Sequence, residues 1–299
     1  MRISIPFPSS VVLLVGLFAS ANAAATCGAA ATAPDATAAP QNSYPNSAKG
    51  LERLVQDLLA AKKNGDENAF REMVRKMVLP DPDGWFRETF GEENGTVMVK
   101  PYLQKITGME ESLSKGFGET LANGLTHLRI LRFSEPCSPG ATEAHNPVLW
   151  NMRKQRPLYE ARFLAADWST GVSLWYFAYV DGAFRYLGKV DFTPSFPAPT
   201  PGVHRERVPN KIQQEKLIKR VTPTYPAVAR RDRIDGTVRI VVLIGTDGKV
   251  RALQAISGPC LLAQAAVEAV RKWVYSPLLL NGKPAEVETT IDVIFVLSG

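Results

Sequence analysis

From Ser47 onward apolar residues recur at helical spacing: Leu51, Leu54, Val55, Leu58 and Leu59 share one face, and Asn64-Gly65 ends the pattern. Asp66 is placed to cap a second helix carrying Phe70, Met73, Val74, Met77 and Val78, which Pro80 and Pro82 stop. A short aromatic segment, Trp85-Phe86 with Phe90, comes next, and a mixed pattern predicts a long helix over about 97–122. Beyond Gly124 the period changes to two, predicting strands over 125–133, 158–165, 172–180 and 183–190. Asp181-Gly182 joins the last pair as a two-residue type I′ turn. Helices followed by an antiparallel meander predict an α+β domain over 47–191. Residues 192–218 are Pro-rich and then basic, which predicts an extended interdomain linker.

The pattern is sharper in residues 219–299. Val238, Ile240, Val242 and Ile244 alternate along one strand, a turn falls at Asp247-Gly248, and 250–257 returns as a second strand. Residues 263–274 form an amphipathic helix with Ala266, Val267, Val270, Trp273 and Val274 on its apolar face. A third strand turns at Asn281-Gly282 into a last one over 287–297. Hairpin, helix, hairpin describes a small two-layer domain with the helix on one sheet face.

The residues at fixed places in this pattern resemble the TonB C-terminal domain family. They are Tyr225, Pro226, Ala229 and Arg230, then Gly236, Asp247 and Gly248, and finally Trp273, Tyr275 and Pro277. Each has a structural reason: the glycines serve places where a β-carbon would obstruct a turn, and the two aromatics fill the space between helix and sheet. These positions therefore mark the fold. The resemblance implies β-augmentation, in which an extended peptide of an outer-membrane transporter or other envelope partner adds to an edge strand. Carried onto this sequence, the contact positions are Thr222, Pro223 and Thr224 before the Tyr-Pro pair, and Thr290, Asp292 and Ile294 or their opposite-face neighbours on the last strand. The family's energy transducers have an inner-membrane anchor and a long Pro-rich spacer. Here a signal-like N-terminus and a globular domain stand in their place, so the resemblance implies binding rather than force transmission. The middle region, 47–191, is only loosely similar to the cone-shaped nuclear-transport-factor-like fold.

The N-terminus sets the compartment. Arg2, the apolar run Val11–Ala19 and Ala21-Asn22-Ala23 predict a secretory signal peptide over 1–23, then an Ala/Pro-rich leader over 24–46. A membrane-spanning helix needs about 20 apolar residues, roughly twice this run. Export to the periplasm is the expectation; lipid anchoring at Cys27 or an inner-membrane anchor is the alternative.

The formal charge of +6 is local: residues 201–240 hold ten basic and four acidic side chains, and the rest of the chain is nearly balanced. That distribution argues against nucleic acid as a partner. Arg205, Arg207, Lys211, Lys216, Lys219 and Arg220 instead predict a tether for anionic lipid or cell-wall polymer. Three cysteines cannot all pair: Cys260, opening an apolar helix, reads as a buried thiol, which leaves Cys27 with Cys137. His127, His145 and His204 lack metal spacing, and no nucleophile elbow, P-loop or dinucleotide fingerprint occurs. No catalytic residue, metal site or cofactor is expected. The alternative is a ligand-binding or catalytic cone-type middle domain with the C-terminal module as an accessory tether.

Overall fold

The computed structural model describes residues 44–297, apart from Thr126, Ser169, Thr170 and Asp191. The expected signal peptide, Cys27 and the leader up to residue 43 lie outside the described residues; the leader's last residues are packed, the Tyr44 hydroxyl donating to Asp57 Oδ2 at 2.7 Å and Asn46 Oδ1 accepting from the Tyr159 hydroxyl at 2.8 Å. Local chemistry sets the helix starts. Ser47 Oγ accepts from Gly50 N to open α1 (Ala48–Lys63), Asp66 accepts from Ala69 N at α2 (Glu67–Lys76), and Asp81 accepts from Gly84 N at α3 (Pro82–Phe90). Instead of one helix over 97–122 there are two, α4 (Glu92–Ile106) and α5 (Met109–Ala122). The break falls at Gly108, whose φ of −115° and ψ of 18° leave the helical region.

Next come β1 (His127–Phe133), α6 (Asn146–Trp150), β2 (Leu158–Leu164), β3 (Gly171–Val180) and β4 (Ala183–Tyr186), an antiparallel meander in sequential order. Asp181 and Gly182 have φ of 49° and 74°, as a type I′ turn requires. Helices cover both faces of this sheet rather than being wrapped by it in a cone. Phe70, Val74, Leu113 and Phe117 pack with Tyr159, Phe163 and Phe177 on one side, and Phe86, Phe90, Met98 and Leu149 with Leu158, Tyr176 and Phe133 on the other.

A bulge in β3 opposite Glu160 brings Trp175 and Tyr176 against the His145 ring. His145 and Glu160 are both buried, with Nε2 and Oε2 2.8 Å apart. Burial pushes the Glu160 carboxyl up, but hydrogen bonds from His145, Arg162 and Ser173 outweigh it and hold its pKa at about 2. A depressed folded pKa means stability present above the unfolded value of 4.5 and lost as pH falls toward 2. Replacing Glu160 by Gln should therefore cost on the order of 3 kcal/mol at neutral pH. It should also flatten the denaturant midpoint between pH 4.5 and 2, where the parent declines. A parallel decline in both proteins would refute this.

The rest of the chain forms β5 (Arg205–Arg207), α7 (Asn210–Glu215), β6 (Leu217–Lys219), α8 (Ala227–Arg231), β7 (Gly236–Ile244), β8 (Val250–Ser257), α9 (Cys260–Val270), β9 (Val274–Tyr275), β10 (Leu278–Leu280) and β11 (Lys283–Phe295). The main sheet runs β10-β11-β7-β8, and β6 pairs separately with β9. Leu262, Ala266 and Val270 of α9 pack with Trp273 and Tyr275 against Val238, Ile240, Val242, Val287, Ile291 and Val293. Gly248, at φ 77°, lies so near the Tyr275 carbonyl that a β-carbon there would sit 1.9 Å from the oxygen.

The segment expected as a linker thus holds β5, α7 and β6, and it is tied down. The expected Cys27 to Cys137 pairing is also corrected: Cys137 is bonded to Cys260, 123 residues away. Cys260 opens α9 beside the loop after β1, so the thiol expected to be buried and free is a crosslink instead. Around it Asn151 Nδ2 donates to Ala255 O at 3.1 Å, and Gln254 Nε2 donates to Ser195 O at 3.0 Å. Trp150 packs against the C-terminal core. The β8 side of the sheet is therefore covered by the rest of the chain.

Candidate functional site: the edge of β11

Strand β11 has two sides. Toward β7 it pairs continuously from Val287 with Ile244 to Phe295 with Gly236. On the other side β10 takes 283–285 and β5 takes 286–288, the latter in parallel register with Glu286 beside Arg205 and Glu288 beside Arg207. Glu286 N donates to His204 O at 2.8 Å, and Glu288 O accepts from Val208 N at 2.9 Å. Backbone groups alternate in direction along a strand, so Thr290, Asp292 and Ile294 also turn their N–H and C=O away from β7. Among the described residues no strand pairs with this side of β11 beyond Glu288. Three residues' worth of ladder groups stand at an open edge.

Side-chain parity is also fixed. Ala285, Val287, Thr289, Ile291, Val293 and Phe295 are buried toward α9, while Glu286, Glu288, Thr290, Asp292 and Ile294 face outward. Ile294 is 65% exposed and Val296, just past the strand's end, 70%, an apolar pair at an edge where charge or proline is the usual protection. Asp292 is held in a two-bond ion pair with Arg239 of β7, at 2.8 and 3.1 Å. Where β5 leaves the edge, a groove of about 590 Å³ opens among Pro194, Arg207, Asn210, Val241, Glu288 and Thr290. Asn210 Oδ1, on its lining, is buried without a hydrogen-bond partner among the described residues.

The other predicted contact set lies elsewhere. Thr222, Pro223 and Thr224 run beside α9 and line a groove of about 290 Å³ with Gln264, Glu268 and Lys272. They stand on the helix side of the sheet, and Thr290, Asp292 and Ile294 on the opposite side, so the two sets do not make one site. The motif residues are packed. Trp273 is buried and donates from Nε1 to Val221 O at 2.8 Å, the Tyr225 hydroxyl donates to Ile234 O at 2.6 Å, and the Tyr225 ring meets Phe295 edge-on.

The six basic residues are not a loose string. Arg205 pairs with Glu286 and Arg207 with Glu288, both at 2.7 Å, and the Arg220 guanidinium lies 5.5 Å from the Trp273 ring centre. Lys211 and Lys219 are exposed. Sequence reasoning missed Val296, the β5 strand and the Arg239 partner of Asp292. Parallel pairing of β5 leaves no local pattern to read, whereas the alternation through Ile294 to Val296 is in the sequence and only the face it presents is not.

Among the described residues no helix is long and apolar enough to cross a membrane, and no cluster of three His, Cys, Asp or Glu could hold a metal ion. Residues 221–297 match the family described as Gram-negative bacterial TonB protein C-terminal. Protein TonB of Vibrio cholerae serotype O1 is 36% identical over 81 residues, 26% of this chain and 33% of that protein. Protein TonB of Klebsiella pneumoniae is 36% identical over 86 residues, 28% of this chain and 33% of that protein. The chain therefore spans about a third of the length of these curated relatives. The solution NMR structure of the Pseudomonas aeruginosa TonB C-terminal domain aligns with 26% identity over 28% of this chain and 87% of that one, with a TM-score of 0.25. By its family match and its 36% identity to two TonB proteins, the segment 221–297 is a TonB C-terminal domain.

Proposed function

We propose that this chain is an exported envelope protein whose C-terminal domain binds an extended segment of an outer-membrane transporter, or of another periplasmic partner, along β11 between Thr290 and Val296. The observation that carries this reading is the edge itself. Among the described residues no strand pairs with the outward-directed backbone groups of β11 past Glu288, while two residues earlier the same side already holds a parallel strand. Exposed Ile294 and Val296 supply apolar surface for the incoming side chains, and the Asn210 Oδ1 acceptor in the groove favours an occupant that brings a donor. TonB C-terminal domains engage outer-membrane transporters as a class, which supports the choice of partner. The Thr222–Thr224 groove is a secondary contact in this reading.

The small-ligand alternative has less behind it. The middle region has a groove of about 500 Å³ between α4 and residues 187–193, but the Tyr102 hydroxyl on its wall is already used by Leu79 N, and His145 and Glu160 lie elsewhere in a filled core.

Proline scanning tests the edge, because proline removes one backbone N–H. At Ile294 the lost donor points outward, so the domain should stay folded and partner binding should fall at least tenfold. At Ile291 the lost donor serves the β7 ladder, so that variant should lose its fold. Circular dichroism with a titration of a peptide from the periplasmic end of an outer-membrane transporter reads both. Undiminished binding by a folded Ile294→Pro variant would sink the proposal.

A further inference from the structure

The first half of the same edge is already occupied, and the occupant describes a ligand. His204–Val208 lies parallel to β11 with three residues in register. Arg205 and Arg207, two apart, meet Glu286 and Glu288, also two apart. The Arg205–Glu286 pair is mostly shielded, each side chain 15% exposed, while Arg207 is 82% exposed over a Glu288 that is 20% exposed. Arg205 reaches Glu286 Oε2 from both Nε, at 3.0 Å, and a terminal nitrogen, at 2.7 Å. The match is therefore between an acidic alternation on the edge and a basic alternation on the strand that fills it.

The remaining anchorage of β5 is short. Before it the chain is exposed at Pro201 and Gly202, and after it Pro209 withholds a donor and turns the chain into α7. Three paired residues with a backbone bond at each end, two ion pairs, one of them largely in solvent, and the partly buried Val208 against the C-terminal core are a modest hold. A partner strand running along Thr290–Val296 in the same direction would meet the end of β5 at Val208.

We propose that Glu286 and Glu288 form a second section of the partner edge, one that selects an extended peptide with basic residues two apart, and that β5 is its resident competitor. This rests on the edge-binding reading above and adds to it. With β5 in place a partner reaches only Thr290–Val296; with β5 displaced it reaches back to Glu286. A peptide carrying the Lys/Arg-x-Lys/Arg pattern gains that section by replacing β5, and peptides lacking it are confined to the short one.

The test uses the full chain and a synthetic peptide of residues 203–209, Val-His-Arg-Glu-Arg-Val-Pro, with a control in which both arginines are glutamate. In the Arg205→Glu/Arg207→Glu variant, repulsion from Glu286 and Glu288 should release β5. The Glu286 amide, which donates to His204 O in the parent, should then lose its protection from hydrogen exchange. The arginine peptide should bind this variant at least tenfold more tightly than the parent, restore the Glu286 protection, and weaken with added salt; the control peptide should not bind. A Val208→Pro variant, which deletes the donor to Glu288 O, should release β5 without changing charge and give the same order of affinities. If both variants keep Glu286 protected, β5 is a fixed part of the fold and the proposal fails. If either variant releases β5 but binds the arginine peptide no better than the parent, the acidic pair is not a ligand section and the proposal fails. Neither result touches the proline experiment, whose readout is the open half of the edge.

Discussion

Trp273→Ala should unfold the C-terminal domain. The side chain is 4% exposed between α9 and the sheet, donates to Val221 O, and carries the Arg220 guanidinium on its ring. Removing a buried tryptophan costs about 3–5 kcal/mol through lost transfer energy and the cavity left behind. Loss of the Nε1 donor leaves the Val221 carbonyl short of a partner, and that carbonyl holds the start of the segment that leads to Tyr225. A core of a domain this small supplies only about 3–5 kcal/mol, so this one change takes most or all of it. Denaturant unfolding followed by near-ultraviolet circular dichroism should show the C-terminal signal lost first and the α+β signal persisting. Trp273→Phe, which keeps a ring and loses the donor, should cost far less. A Trp273→Ala variant within 1 kcal/mol of the parent would mean that the helix and sheet are held together by other contacts. Loss of partner binding in an unfolded variant would carry no information about the contact surface.

The second large effect belongs to the disulfide. Cys137 and Cys260 close a loop with a sequence separation of 123 residues, and in the chain-entropy account loops of that size stabilise by about 4–5 kcal/mol. Substituting both cysteines by serine should lower the denaturant midpoint accordingly, and a reducing agent should do the same to the parent and nothing further to the variant. Trp150, Asn151 and Gln254 still contact across the same region, so the two parts should remain associated at low denaturant and separate earlier as it rises. Peptide mapping of the unreduced chain should recover Cys137 linked to Cys260. Recovery of Cys137 linked to Cys27 would restore the pairing expected from sequence and remove the crosslink from the account.

That expectation failed for a physical reason. A cysteine at the start of an apolar helix looks the same in sequence whether it is buried alone or bonded to a loop 123 residues away; only the fold brings the partner to it. The elements that were legible have local causes. Asp181-Gly182 and Asn281-Gly282 turn because both residues of each pair take positive φ, and the strands flanking them alternate with period two. The β7–β8 hairpin and α9 follow from the same regularities, but which face of β11 is buried does not: Thr290, Asp292 and Ile294 and their opposite-face neighbours alternate alike in sequence, and only packing against α9 decides between them. Strand β5 was not legible because it is three residues long, charged and parallel to a strand some eighty residues away, so its pairing depends on Glu286 and Glu288 rather than on any period of its own. The basic run around it read as a tether, since a list of cations does not reveal which already have carboxylates. His145 and Glu160 were likewise invisible as a pair until the fold carried the loop before α6 onto β2.

The central claim is that a partner strand adds to β11 beyond Glu288, and amide hydrogen exchange resolved by residue tests it most directly. In the free chain the amides of Ile291 and Val293 should be protected by β7, and those of Thr290, Asp292 and Ile294 should exchange. On addition of an extended peptide from the periplasmic end of an outer-membrane transporter, alternate edge amides should slow by at least tenfold while the amides facing β7 change little, a period-two pattern that only strand addition produces. Slowing confined to Thr222 and Thr224, or binding that leaves the β11 amides unchanged, would contradict the account.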